Sequence, residues 1–214
     1  AAGLNAAIGK VVTIDDVNVA VIDRFDRTSA GRRIPYWSMA TFLQSTEDGY
    51  PPPCYTELNE RLYLQADSPD KTTAKEIVGR LLLNYLINNT DDHGRNTGLL
   101  MRNNGVWVLS PAFDINPVPL SRPEAPYVSK NYLSLAEGEI EDVRQIWDNL
   151  AAFDLTDEEG VEIFKRVIGA VRNWKSLAVK PTVRMNASDL RDYAPAFSSV
   201  RVQKAVELAA RFEN

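Results

Sequence analysis

The chain has 214 residues, 44% hydrophobic and 25% charged, which suits one large folded domain or two small ones and argues against disorder. Its formal net charge is −5, from 29 acidic and 24 basic side chains, which disfavours a nucleic-acid backbone as the main partner. A single cysteine, Cys54, excludes an intramolecular disulfide and fits a reducing cytoplasm. No run of about 18 apolar residues is present to span a membrane. The start, Ala1-Ala2-Gly3-Leu4-Asn5, lacks the cationic flank and apolar stretch of a signal peptide.

In chain order, Val11-Val12 and Val17 to Ile22 are rich in β-branched residues and predict two short strands, with Asp15-Asp16 as the turn between them. The pattern breaks at Arg24-Phe25-Asp26-Arg27, and a polar loop with Gly31 follows. Residues 36–46 read as a short helix. Residues 47–70 read as irregular, with Gly49, Pro51-Pro52-Pro53 and a helical piece near 56–65. The strongest helix is 73–88. Thr73 and Glu76 have capping-box spacing, and Ile77, Val78, Leu81, Leu82, Tyr85 and Leu86 recur at the helical period of a core-facing stripe.

A polar loop, 88–97, comes next. Gly98 to Met101 and Val106 to Leu109 read as strands joined by Arg102-Asn103-Asn104-Gly105, in which Asn-Gly is a hairpin signal. The rest reads as helical: 139–152, then a helix opened by the Thr156/Glu159 capping box and running to about Leu177, then 195–212. There is no repeat at solenoid spacing. The fold class is therefore mainly α (α+β): a helical bundle with a short N-terminal β element and one inserted hairpin.

Asn89-Thr90-Asp91-Asp92-His93-Gly94-Arg95-Asn96, the hairpin, and then Asp114 carry the chemistry. Phosphoryl transfer needs a carboxylate to orient the attacking hydroxyl, and oxygen ligands to hold Mg²⁺ against the phosphates. Asp91, Asn96 and Asp114 supply that set. Asp91 and Asn96 lie in one loop, and the hairpin returns the chain to the same end before Asp114. Taken alone, Asp91-Asp92 reads as turn chemistry, and Asp114 between Pro111 and Pro117 reads likewise. The ordered combination reverses both readings. His93 is the only histidine, so it cannot make a typical zinc site, and Cys54 in a Pro-rich loop is a poor nucleophile.

The run Asn89 to Asn96 resembles the catalytic loop of HipA-family serine/threonine kinases, and is also similar to the Asp-x-His-x-x-Asn loop of the phosphatidylinositol-3-kinase group. Pro111-Ala112-Phe113-Asp114 resembles the HipA metal-aspartate segment, and Val21 to Arg27 resembles its hinge. The resemblance covers nearly the whole chain. It implies a kinase-like C-lobe over 28–214, with 1–27 as the end of an N-lobe and the hinge strands. By position it implies Asp91 as catalytic aspartate, His93 as a brace of the loop, and Asn96 and Asp114 as Mg ligands. It also implies Asp23, Phe25, Arg95 and Phe113 on the ATP side. It implies Mg-ATP as cofactor, a Ser/Thr protein substrate and a toxin–antitoxin setting with a helix-turn-helix antitoxin. Nucleic acid is then met only through that antitoxin.

The resemblance also implies an upstream Gly/Ser-rich phosphate loop and an ATP-contacting lysine, and neither pattern occurs here. Lys75 and Lys130 fall after the hinge, and Lys10 lies too close to it, so none reads as a replacement. Residues 1–5 read as the end of a helix leading into the hinge strands. The expectation is a lobe that is weak or inactive by itself. The alternatives are a non-catalytic lobe that docks an antitoxin or a separate N-lobe, and a small-molecule kinase.

Overall fold

The computed structural model describes residues 1–45, 52–66, 70–119, 127 and 129–212. The turn residues Gly49 and Pro51 lie outside the described residues. The architecture is mixed α+β: eight α-helices and two small antiparallel sheets among the described residues. No helix among them is long and apolar enough to cross a membrane.

Strands β1 (Gly9–Ile14) and β2 (Val17–Ile22) form an antiparallel ribbon. Asp15 and Asp16 turn it with φ of 47° and 63°, the left-handed pair that matches a twisted ribbon. Residues 1–5 are not helical. The Asn5 carbonyl accepts the Ala112 N–H at 2.7 Å, and the Ala7 N–H donates to the Ala112 carbonyl at 2.8 Å. Buried Arg80 fixes this contact by donating to the carbonyls of Asn5 (3.2 Å) and Ser110 (2.8 Å).

The stretch 36–46 also differs from a plain helix. Tyr36–Ser38 is a strand, β3, and only Met39–Phe42 is helical, α1, capped by Ser38 Oγ. Strand β3 pairs with β4 (Gly98–Met101), which pairs with β5 (Trp107–Leu109), so the hairpin sits in a three-stranded sheet. Three residues carry too weak a local pattern to announce a strand; pairing with β4 makes them one.

Helix α2 (Tyr55–Leu64) leads to α3 (Thr72–Leu86), the central helix. Ile77, Val78, Leu81, Leu82, Tyr85 and Leu86 are all buried, as the periodicity predicts. The Thr73/Glu76 capping box does not form. Glu76 Oε1 instead accepts from Arg80 Nε (2.8 Å) and the Asn5 N–H (3.0 Å), while Asp70 accepts the Thr72 N–H at 2.9 Å.

Helix α4 (Val143–Asp148) is shorter than predicted and passes into a 3-10 turn, Leu150–Phe153. Helix α5 (Asp157–Arg172) does carry the Thr156/Glu159 box, and a break at Asn173 separates it from α6 (Trp174–Ala178). The last segment is two helices, α7 (Ala187–Phe197) and α8 (Val200–Ala210). Helices α2, α4, α5 and α8 all pack against α3.

Candidate functional site

The loop that carries the candidate residues starts where α3 stops. Asn88 takes the left-handed conformation (φ 58°), its N–H reaches the Tyr85 carbonyl, and the Asn89 N–H reaches the Asn84 carbonyl at 2.9 Å. This is a Schellman end with asparagine in the position that usually takes glycine. It turns the chain sharply out of the core.

Asp91 and Asp92 then part. Asp91 is exposed, whereas Asp92 is buried and accepts the Tyr55 hydroxyl at 2.8 and 2.6 Å on its two oxygens. Asn131 Nδ2 donates to the same carboxylate at 3.3 Å, and Asn84 also bonds to it. Burial pushes the Asp92 carboxyl up to about 6, against the opposing pull of these donors.

Within the loop, Asn96 Nδ2 donates to the Asp91 carbonyl at 3.0 Å, and His93 Nδ1 accepts the Arg95 N–H at 3.3 Å. His93 Nε2 lies 3.9 Å from Asp91 Oδ1, beyond hydrogen-bond range. Gly94 is the point of closest approach. A Cβ there would meet Pro53 Cγ at 2.9 Å and the Ala40 N at 3.2 Å, and its carbonyl accepts the Ala40 N–H. Helix α1 therefore lies directly on the loop. A cleft of about 490 Å³ opens here, lined by Ser38, Thr41, His93, Arg95 and Lys130 among others.

The chain leading to Asp114 leaves the sheet at the end where this loop enters it. Asn96 is separated from β4 only by Thr97, β5 returns beside β4, and the Ser110 N–H bonds the Gly98 carbonyl at 2.8 Å. Asp114 itself has φ of 56° and accepts from Asn116 Nδ2 at 2.7 Å. The Ala112 bridge to residues 5–7 ties this segment to the chain that enters β1.

The donor chemistry suits Mg²⁺. Asp114 offers an exposed carboxylate, and because the Asn96 amide nitrogen is engaged with Asp91, its oxygen is the group presented as a ligand. No cluster of three His, Cys, Asp or Glu side chains occurs among the described residues, so a zinc-type or carboxylate-rich cage is not the pattern here.

After β2, the Phe25 ring lies 5.6 Å from Phe113 and 6.4 Å from Tyr36, joining the 23–27 segment to that of Asp114. The Asp23 N–H is committed to the Ile8 carbonyl at 2.8 Å. Asp26 knots the 24–27 turn by accepting from Arg24 Nε (2.8 Å) and Nη2 (2.5 Å) and from Arg27 Nη1 (2.7 Å). The Arg24 bonds hold its carboxyl down at about 2.

Sequence reasoning set Lys130 aside because it follows the hinge. In the fold its ammonium sits 2.5 Å from Asp91 Oδ1. The pair is 39 residues apart in sequence, and no local pattern marks it. Tyr55 and Asn131, which enclose Asp92, were missed for the same reason.

Residues 1–175 match the family profile described as the HipA-like C-terminal domain. No curated protein sequence matches the chain. Among solved structures, the chain superposes with TM-score 0.67 on a chain of the Shewanella oneidensis MR-1 toxin–antitoxin complex of HipA, HipB and operator DNA. Identity is 14%, and the match covers 99% of this chain and 52% of that one, so this chain spans about half its length. At that identity the superposition speaks for the fold, and the profile speaks for descent: the chain belongs to the HipA-like C-terminal domain family.

Proposed function

We propose that the chain is the catalytic lobe of a HipA-like serine/threonine protein kinase, which transfers the γ-phosphate of Mg-ATP to a protein hydroxyl. One observation supports the reading: the sheet register brings Ser110, four residues before Asp114, to the end of the hairpin that the Asp91–Asn96 loop enters. Asp91 would orient the acceptor hydroxyl and take its proton. Asn96 and Asp114 would hold Mg²⁺, which neutralises charge on the phosphate oxygens when bound. His93 braces the loop through the Arg95 N–H. Arg95 faces the phosphates, and Asp23, Phe25 and Phe113 form the nucleotide side. Family membership supports this reading, and the packing of Phe25 on Phe113 keeps the hinge beside the Asp114 segment.

Residues 1–27 form the end of an N-lobe in this reading, and 28–214 the kinase-like C-lobe. The β1–β2 ribbon supports it, because Ile14, Val17 and Ile22 stand exposed on an isolated two-stranded element, which gains stability from a covering partner. The matched HipA complex holds HipB and operator DNA. By analogy the protein is the toxin of a cytoplasmic toxin–antitoxin pair, meeting DNA through a helix-turn-helix antitoxin.

Titration calorimetry of Mg-ATP tests the site. Binding is expected to need Mg²⁺ and to weaken at least about tenfold in Asp114→Ala, the loss of one charged metal ligand. Equal affinity in both proteins overturns the assignment of Asp114. Absence of Mg-ATP binding, also in a longer form carrying an N-lobe, favours the docking-lobe reading.

A further inference from the structure

We propose that Lys130 is a positioning residue of this site, holding the Asp91 carboxylate so that one chosen oxygen meets the acceptor hydroxyl. The inference rests on the kinase reading above. Its starting point is that stability does not explain the pair. Lys130 and Asp91 are 56% and 59% exposed, and ion pairs this wet add little to stability because water screens them. Yet the backbone that carries Lys130 is fixed with unusual care. The Lys130 N–H donates to the Asp92 carbonyl at 3.2 Å. Its neighbour Asn131 is completely buried, and Asn131 Nδ2 donates to the Tyr55 hydroxyl (3.2 Å) and to Asp92 Oδ1 (3.3 Å). Tyr132 and Pro53 are joined by a backbone bond of 2.9 Å, and Tyr55 and Tyr132 by one of 3.0 Å. Buried Asp92 is thus shared by the loop, α2 and the 129–132 segment, and this network brings the ammonium onto Asp91.

The contact is also one-sided. Both Lys130 Nζ and His93 Nε2 approach Oδ1 of Asp91, at 2.5 and 3.9 Å. Oδ2 is therefore the oxygen assigned to the acceptor. In the transfer step the hydroxyl proton passes to Asp91 Oδ2, and the hydroxyl oxygen bonds the γ-phosphorus. The bond from that phosphorus to the β–γ bridging oxygen breaks, and its electron pair leaves on ADP. Lys130 lies on the lip of the Ser38–Thr41 cleft, with His93 and Arg95.

The test is steady-state phosphotransfer by the full-length protein that carries this domain, comparing Lys130→Met, Lys130→Arg and Asp91→Asn. Misplacing a reacting group costs on the order of 10²-fold in rate. The expected result for Lys130→Met is a kcat drop of about that size, with the KM for ATP within about twofold and an unchanged melting temperature. Lys130→Arg keeps the cation and should recover most of the loss. A wild-type kcat in Lys130→Met overturns the inference, as does a raised KM for ATP with kcat intact, which makes Lys130 a nucleotide contact instead. Asp91→Asn separates the two levels. If it leaves transfer intact, the kinase reading itself falls; if it abolishes transfer while Lys130→Met does not slow it, only the Lys130 inference falls.

Discussion

Adjacent aspartates in this loop meet opposite environments. Lys130 holds the exposed Asp91 carboxyl below its ordinary range through a direct hydrogen bond. Burial pushes Asp92 the other way, from 3.8 to about 6, although Tyr55, Asn84 and Asn131 all donate to it. Desolvation wins because an ionised carboxylate in that enclosure has lost its water. The consequence for stability has a definite sign. Between pH 3.8 and about 6 the native Asp92 binds more proton than the unfolded chain, so its contribution falls as pH rises through that window. About two pKa units correspond to roughly 3 kcal/mol. Asp92→Asn removes this titration. Urea melts at pH 4 and pH 7 should show that the wild type loses about that much more stability than the variant over the interval. Parallel pH slopes in the two proteins would show that Asp92 is ionised in the fold at pH 4. The doublet was visible in sequence as a candidate site, but not which member is buried. Tyr55 and Asn131, which decide it, lie 37 and 39 residues away.

At the scale of elements, two segments with the same capping spacing behave differently. Thr156 and Glu159 form the reciprocal box, with Glu159 Oε2 accepting the Thr156 N–H at 3.0 Å and Thr156 Oγ1 accepting the Glu159 N–H at 3.3 Å. Thr73 and Glu76 do not, because Glu76 is bound to Arg80 and Asn5. Thr156→Ala should therefore cost about 1 kcal/mol in a denaturant melt. Thr73→Ala should cost less than about 0.5 kcal/mol. Equal losses would mean that spacing alone sets the cap. Periodicity read α3 and α5 correctly because each buries a stripe of its own residues. Local patterns stayed silent where partners decide. Strand β3 exists through β4, and residues 1–5 are not helical because Arg80 and Ala112 take the Asn5 carbonyl while Glu76 takes its N–H. Helix α7 was missed although Asn186 and Asp189 form a capping box, because Pro195 inside the helix reads as a breaker. The candidate trio could be picked out in sequence because its residues are close together or joined by one hairpin; Lys130 is neither.

The whole molecule is organised around α3, and its last helix matters to that arrangement more than the family profile suggests. The profile ends at residue 175, whereas the structural match covers 99% of the chain. Helix α8 lies against α3, α4 and α5, and Val202, Ala205, Leu208 and Ala209 are buried there. Arg201 is buried beside them. Its Nη2 donates to Asn88 Oδ1 at 2.7 Å, and its guanidinium lies 5.6 Å from the Tyr85 ring and 5.7 Å from that of Tyr127. Asn88 is the left-handed residue that ends α3 and starts the loop of Asp91, so the C-terminal helix braces the root of the candidate site. Removing α8 would expose one face of the central helix. Val202 and Leu208 alone account for roughly 3–6 kcal/mol of burial. Domains of this kind have only about 5–15 kcal/mol in total. A chain of residues 1–185 should accordingly lose its cooperative thermal transition and its near-ultraviolet circular dichroism, while keeping much of its helical far-ultraviolet signal. If the 1–185 chain melts cooperatively within a few degrees of the full chain, α8 is an appendage, and the brace on Asn88 has no part in holding the loop.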